Sequence, residues 1–246
     1  MMLVGAKLTL SGRLNDVSVS LNPGEVTVIC GPNGAGKSSL LAALAGLIIP
    51  DHGAVTLDET PLSRLPATAR AQAIGFLPQS ADVAWDVTVE TLAVLGRLPW
   101  RSSAATDATA VNAALAALQL DSLRDRPVSQ LSGGERARAL LARVLAGEPR
   151  WLLADEPIAN LDLAHQLALL ERMRKLARDR GLGVVLVLHD LAQAMNYADR
   201  VLVLDLGAVV ADGPPEAVLT EDLIRVVWGV PARWLGQPGA RALLPG

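Results

Sequence analysis

Apolar positions in this chain come mostly as unbroken runs rather than in polar–apolar alternation. Val26–Cys30 (VTVIC) is a short β-branched run closed by Gly31 and Pro32, which predicts a buried strand. Residues 151–154 (WLLA) and 183–188 (GVVLVL) are two more runs of strand length. Residues 201–204 (VLVL) and 208–211 (AVVA), joined through Asp205, Leu206 and Gly207, predict a hairpin. Strands that lack polar alternation are covered on both faces, so the pattern predicts an α/β sheet. Residues 38–47 predict a helix, as do residues 132–147 with Arg136, Arg138 and Arg143 as polar punctuation. Residues 86–120 are helix-like, with a break at Pro99, Ser102 and Ser103; Val111, Leu115, Leu118 and Leu120 form one apolar stripe. The predicted organisation is one domain over residues 1–246. Its core spans about 1–84 and 151–220, a helical subdomain is inserted at about 85–150, and a small appendage occupies about 221–246.

Composition narrows the classes. With 246 residues, 51% of them apolar and 19% charged, the chain can bury a sizeable core and is not disordered. Lys and Arg number 22 against 25 Asp and Glu, a net charge of −3, which argues against a general nucleic-acid partner. The single cysteine, Cys30, excludes an intrachain disulfide, and its place at a strand end predicts a buried, inert thiol. The N-terminus MMLVGAKLTLSG lacks the cationic start and cleavage site of a signal peptide. The longest apolar runs, including Leu40–Ile49, are too short to cross a bilayer. The mean hydropathy of +0.34 is high for a soluble chain, and implies a large core or a surface covered by a partner.

Residues Gly31, Pro32, Asn33, Gly34, Ala35, Gly36, Lys37 and Ser38 match G-x-x-x-x-G-K-[ST]. Glycines let such a loop wrap so that its N–H groups face phosphate oxygens, and the helix beginning at Ser38 and Ser39 presents its positive end to the same anion. Lys37 supplies a point charge to the β- and γ-phosphates, and the Ser38 hydroxyl can ligate Mg²⁺. The loop follows a predicted strand and opens a predicted helix, the context the motif demands. A second apolar strand ends in Asp155 and Glu156. Beside a phosphate loop, Asp155 is the expected Mg²⁺ ligand and Glu156 the expected general base that polarises water.

Between these two elements lies Gln130-Leu131-Ser132-Gly133-Gly134-Glu135. Here the sequence resembles the ATP-binding cassette (ABC) ATPases over about residues 3–220. The resemblance implies a P-loop NTPase fold with a mixed, RecA-like sheet core and an inserted α-helical subdomain. It implies that Ser132, Gly133, Gly134 and Glu135 form the signature that binds the ATP held by a second subunit. Gln79 looks like the Q-loop glutamine, near Mg²⁺ and the lytic water. Asp162, in Ala159-Asn160-Leu161-Asp162, resembles the D-loop aspartate, and His189 the switch histidine that contacts the γ-phosphate. Lys37 to Ser39 and the preceding loop would bind ATP. Two departures stand out. Ile158 replaces the Thr or Ser that often follows DEP, and Lys7–Asp16 carries no aromatic to stack on adenine.

The stretch Thr88-Val89 to Gly96-Arg97-Leu98-Pro99-Trp100, together with His165-Gln166 and Val218-Leu219-Thr220, resembles cassettes that power import of ferric siderophores, haem and cobalamin. The short aromatic-free N-terminus points to the cobalamin branch first. That resemblance implies a homodimer at the cytoplasmic face of the inner membrane. The dimer would bind a polytopic permease, with a periplasmic or lipid-anchored substrate-binding protein in the complex. Val83, Trp85, Val87, Leu98 and Trp100 are expected either to offer apolar docking surface or to pack inside the helical subdomain. Exporter ATPases and, further off, soluble ABC proteins of translation or DNA repair share the same ATPase motifs.

Overall fold

The structure, a computed structural model, describes residues 2–79, 86–159 and 161–246. Strands β1 (Leu3–Leu10) and β2 (Leu14–Leu21) form a hairpin, and β3 (Val26–Cys30) leads into helix α1 (Lys37–Leu44). The next elements are β4 (His52–Leu57), the short β5 (Thr60–Pro61), α2 (Ala67–Ala73) and β6 (Ile74–Leu77). Three helices come next: α3 (Val89–Val94), α4 (Ala104–Ala117) and α5 (Gly133–Ala146). After β7 (Trp151–Asp155) come α6 (Leu163–Arg180), β8 (Gly183–Val187), α7 (Leu191–Tyr197), β9 (Arg200–Asp205) and β10 (Ala208–Gly213). The order is completed by α8 (Pro215–Val218), α9 (Glu221–Trp228) and a hairpin of β11 (Ala232–Gln237) and β12 (Ala240–Pro245).

The five predicted runs and one strand that was not predicted, β6, form a six-stranded sheet in the order β10-β9-β3-β8-β7-β6. All its neighbours pair in parallel except β10, which runs antiparallel to β9. Successive strand residues face opposite sides, so each apolar run feeds two cores at once. Val28, Leu152, Leu186 and Val203 pack with Leu141 of α5, Leu170 and Met173 of α6 and Ala194 of α7. Ile29, Leu153, Val185 and Leu202 pack with Leu40, Leu41 and Leu44 of α1.

That second core is closed by a separate antiparallel sheet, β2-β1-β4-β5, which the apolar runs did not predict. Its strands bury alternate residues, such as Val17, Val19 and Leu21, and leave Ser18 exposed. The sheet is half-covered, so its signal is the period of two rather than a continuous run.

Helices α3 and α4 pack on α5. The helix-like stretch 86–120 is two helices, N-capped by Thr88 and Ser103. The apolar stripe outlasts α4: Gln119 adopts φ 54°, and the turn buries both Leu118 and Leu120. Arg97 lies under this layer at 4% exposure. Its guanidinium donates to Asp107 at 2.7 Å, to Glu148 at 2.7 Å and to the Ala146 carbonyl at 2.9 Å. It also stacks 4.7 Å from the Trp100 ring, whose Nε1 donates to the Gly147 carbonyl at 3.0 Å. Trp100 therefore packs against the helical layer and stays half-buried. Leu98 is exposed and Val87 packs against the core, while Val83 and Trp85 lie outside the described residues. The last hairpin is held to α7 by Asn196, which donates to the Arg241 carbonyl and accepts from its N–H, both at 2.8 Å.

Candidate active site

Strands β3, β6, β7 and β8 all end on one edge of the parallel sheet, where open α/β sheets bind their ligands. The loop after β3 can be made only with glycine at two points. Gly31 has φ 149°, and a Cβ there would lie 2.1 Å from the Leu204 carbonyl oxygen. Gly36 has φ 97°, and its Cβ would lie 2.4 Å from the Arg13 carbonyl oxygen. The loop leaves Asn33, Gly34 and Ser38 exposed, half-buries Pro32, and buries Ala35 and Ser39. Helix α1 carries no side-chain cap, so its first N–H groups are open to an anion.

Lys37 is buried, and its Nζ donates to the carbonyls of Gly31 at 2.8 Å and Pro32 at 2.9 Å. Burial pulls its pKa down, against the opposing pull of the Glu156 and Asp155 carboxylates. Cys30 behaves as expected, because burial pushes its thiol up to about 12. Asp155 ends β7 at 7% exposure, and burial raises its pKa against the Ser38 hydroxyl that hydrogen-bonds it. Its Oδ1 is buried without a partner. An orphaned carboxylate oxygen beside a hydroxyl is a hard-oxygen donor set, which fits Mg²⁺.

Consecutive strand residues should point apart, yet Glu156 reaches the same edge as Asp155. The reason is its left-handed φ of 49°, which ends the strand and swings the side chain round. Gln79, two residues past β6, donates from Nε2 to Glu156 Oε2 at 2.8 Å. His189, two residues past β8, places Nε2 2.5 Å from Glu156 Oε1. The structure thus gathers Gln79, Glu156 and His189 into one cluster, with Lys37 and Asp155 beside it.

Ser132, Gly133, Gly134, Glu135 and Asp162 form a second cluster at the N-termini of α5 and α6. The Ser132 hydroxyl accepts from the Glu135 N–H at 3.3 Å, and the Glu135 carboxylate accepts from the Ser132 N–H at 2.9 Å. That backbone N–H holds the Glu135 carboxyl below its usual range. Asp162 caps α6, accepting from the His165 N–H at 2.9 Å, and its carboxylate also lies 2.8 Å from His165 Nδ1. The His165 ring lies so close to Gly134 that a Cβ there would be 2.4 Å from its Cδ2.

Two residues at the site were not foreseen. Arg13, in the turn between β1 and β2, donates to the Ser39 hydroxyl at 3.5 Å and brings a further cation to the phosphate loop. Only the unpredicted sheet puts it there. Gln193 of α7, buried near His189, is an isolated polar residue in sequence and gave no signal.

Comparison with known proteins agrees with this geometry. Residues 14–159 match the family model for the ABC transporter. The hemin import ATP-binding protein HmuV of Rhodococcus jostii is 46% identical over 98% of this chain and 84% of its own length. The ferric enterobactin transport ATP-binding protein FepC of Escherichia coli is 39% identical, over 96% of this chain and 90% of its own. A dimeric post-hydrolysis structure of the ATP-binding cassette MJ0796, bound to ADP and Pi, superposes with a TM-score of 0.77 at 26% identity. It covers 87% of this chain and 98% of that one. With the phosphate loop, the strand-end carboxylates and the signature in this arrangement, the chain belongs to the ABC transporter family, as one of its ATP-binding, ATP-hydrolysing subunits.

Proposed function

We propose that the chain powers uptake of haem or a ferric siderophore through a membrane permease, with Glu156 as the base of ATP hydrolysis. The meeting of Gln79 and His189 on the Glu156 carboxylate, beside Lys37, is the observation that carries this reading. In it the loop Gly31–Ser39 wraps the ATP phosphates, and Lys37 leaves its carbonyl partners to pair with the β- and γ-phosphates. Glu156 accepts the proton of the attacking water. His189 turns from Glu156 to the γ-phosphate, and Gln79 orients the water and senses the permease. Ser38, Asp155 and Gln79 would hold Mg²⁺, which when bound neutralises charge on the transferring phosphoryl group. Ser132, Gly133, Gly134, Glu135 and Asp162 would serve the ATP of a second copy, so each nucleotide would lie between two chains.

The haem and siderophore assignment follows relatives named for hemin import and ferric enterobactin transport. These names shift the first choice from cobalamin to haem. No helix among the described residues is long and apolar enough to cross a membrane. By the import role of those relatives, the proposed location is peripheral, on a permease at the cytoplasmic face of the inner membrane, with a substrate-binding protein completing the complex. Glu156→Gln is expected to cut ATP turnover roughly 10²-fold or more while ATP binding persists. Steady-state hydrolysis and nucleotide titration check both halves, and turnover at the wild-type rate would remove Glu156 from its role.

A further inference from the structure

Behind Glu156 and His189 lies a cavity of about 150 Å³ whose wall includes two amides, Gln166 of α6 and Gln193 of α7. Gln193 is 8% exposed, and its Nε2 donates to Gln166 Oε1 at 2.8 Å. Gln166 Nε2 in turn donates to the Leu161 carbonyl at 3.0 Å and, more weakly, to the Ile158 carbonyl at 3.4 Å. Gln193 also fastens its own helix: its N–H donates to Asp190, the cap of α7 and the residue after His189, at 3.1 Å. The bonds form a continuous chain. It runs from the turn that follows Glu156, through Gln166 and Gln193, to the helix that follows His189.

Burying the Gln193 amide and half-burying that of Gln166 is unfavourable unless each is bonded, and apolar side chains would fill the same space at lower cost. Their directional bonds do what apolar packing cannot, since they fix where two strand-end segments sit relative to each other. We propose that Gln166 and Gln193 are positioning residues that lock the Glu156 turn to the His189 segment, and so set the geometry of that pair. The proposal rests on the reading of Glu156 and His189 as groups acting on ATP. Neither amide is assigned a contact with nucleotide. Its signature is therefore a loss in kcat without a loss in ATP binding.

The test uses Gln166→Met, Gln193→Met and the double variant, which keep side-chain length and remove the bonds. Wild type and Glu156→Gln run alongside. Each single variant is expected to lose about tenfold in kcat, since small misplacements of reacting groups are costly. KM for ATP is expected to stay within about twofold, and the double variant to be no slower than the slower single. Gln166→Glu keeps an acceptor for Gln193 but loses both donors to the turn, and should fall with Gln166→Met. Wild-type kcat in either single variant would overturn the proposal. So would losses that multiply in the double variant, or a rise in KM that accounts for the whole effect. If Glu156→Gln is inactive while the amide variants are not, the lock alone fails. If Glu156→Gln is fully active, the underlying reading fails with it.

Discussion

Asp155 is the residue at which stability and function pull in opposite directions. Burial favours its protonated form, so its folded pKa lies above the ordinary 3.8, and ionising it costs stability. The cost is absent well below 3.8, grows as pH rises through the folded pKa, and is fully present above it. A bound cation would offset it through the unpartnered Oδ1. Asp155→Asn removes the charge and keeps the shape. The nucleotide-free variant is expected to melt above wild type at pH 7, with a gap that narrows towards pH 4, and to lose hydrolysis. Melting curves across that range check the sign, and a gap of constant size would refute it. At this scale the motif residues were legible because phosphate chemistry restricts residue type. The left-handed turn at Glu156 was not, since the sequence there has no glycine to mark it.

Among elements, a buried cation reinforces the apolar joint between α3, α4 and α5. Arg97 is nearly fully buried, and it ties Asp107 near the start of α4 to Glu148 and the carbonyl of Ala146 at the end of α5. Charge-assisted bonds of this kind contribute about 1.5–3 kcal/mol on removal of a partner. Because both carboxylates keep some contact with water, Arg97→Ala is expected to cost about 2 kcal/mol, or roughly 5 °C in Tm. Arg97→Lys keeps the charge but not the planar fork, and should recover less than half of the loss. Calorimetry of the three proteins checks this, and full recovery by lysine would show that charge alone matters. The apolar stripe of α4 and the α5 helix were readable in the sequence because their burial repeats at helical spacing. The β1–β2–β4 sheet escaped because a half-exposed strand carries a weaker pattern than one buried on both faces.

For the whole molecule, the proposed roles of the two clusters predict an assembly. If the phosphate loop holds one nucleotide and Ser132–Glu135 serves that of a second copy, pairing completes each site. Glu156→Gln with Mg²⁺-ATP is expected to sediment at about twice the 25.8 kDa chain mass, and to return to the single-chain mass when Lys37 is also changed to Ala. Sedimentation at the single-chain mass under all conditions would exclude nucleotide-driven pairing. The same variant, used as bait on native membranes with ATP, should recover a permease together with a substrate-binding protein. Recovery of a permease alone would favour export.

Taken alone, the sequence determined the motifs and the main sheet: a phosphate loop, two strand-end carboxylates, a signature, and a largely parallel sheet buried on both faces. These were readable because each depends on residue types at short spacing. Tertiary structure decided what lies far apart in the chain and close in space. It brought Gln79 and His189 onto Glu156, Arg13 onto the phosphate loop, His165 against Gly134, and Gln193 onto Gln166. Such contacts leave no local periodicity, because what selects them is the packing of whole strands and helices against one another.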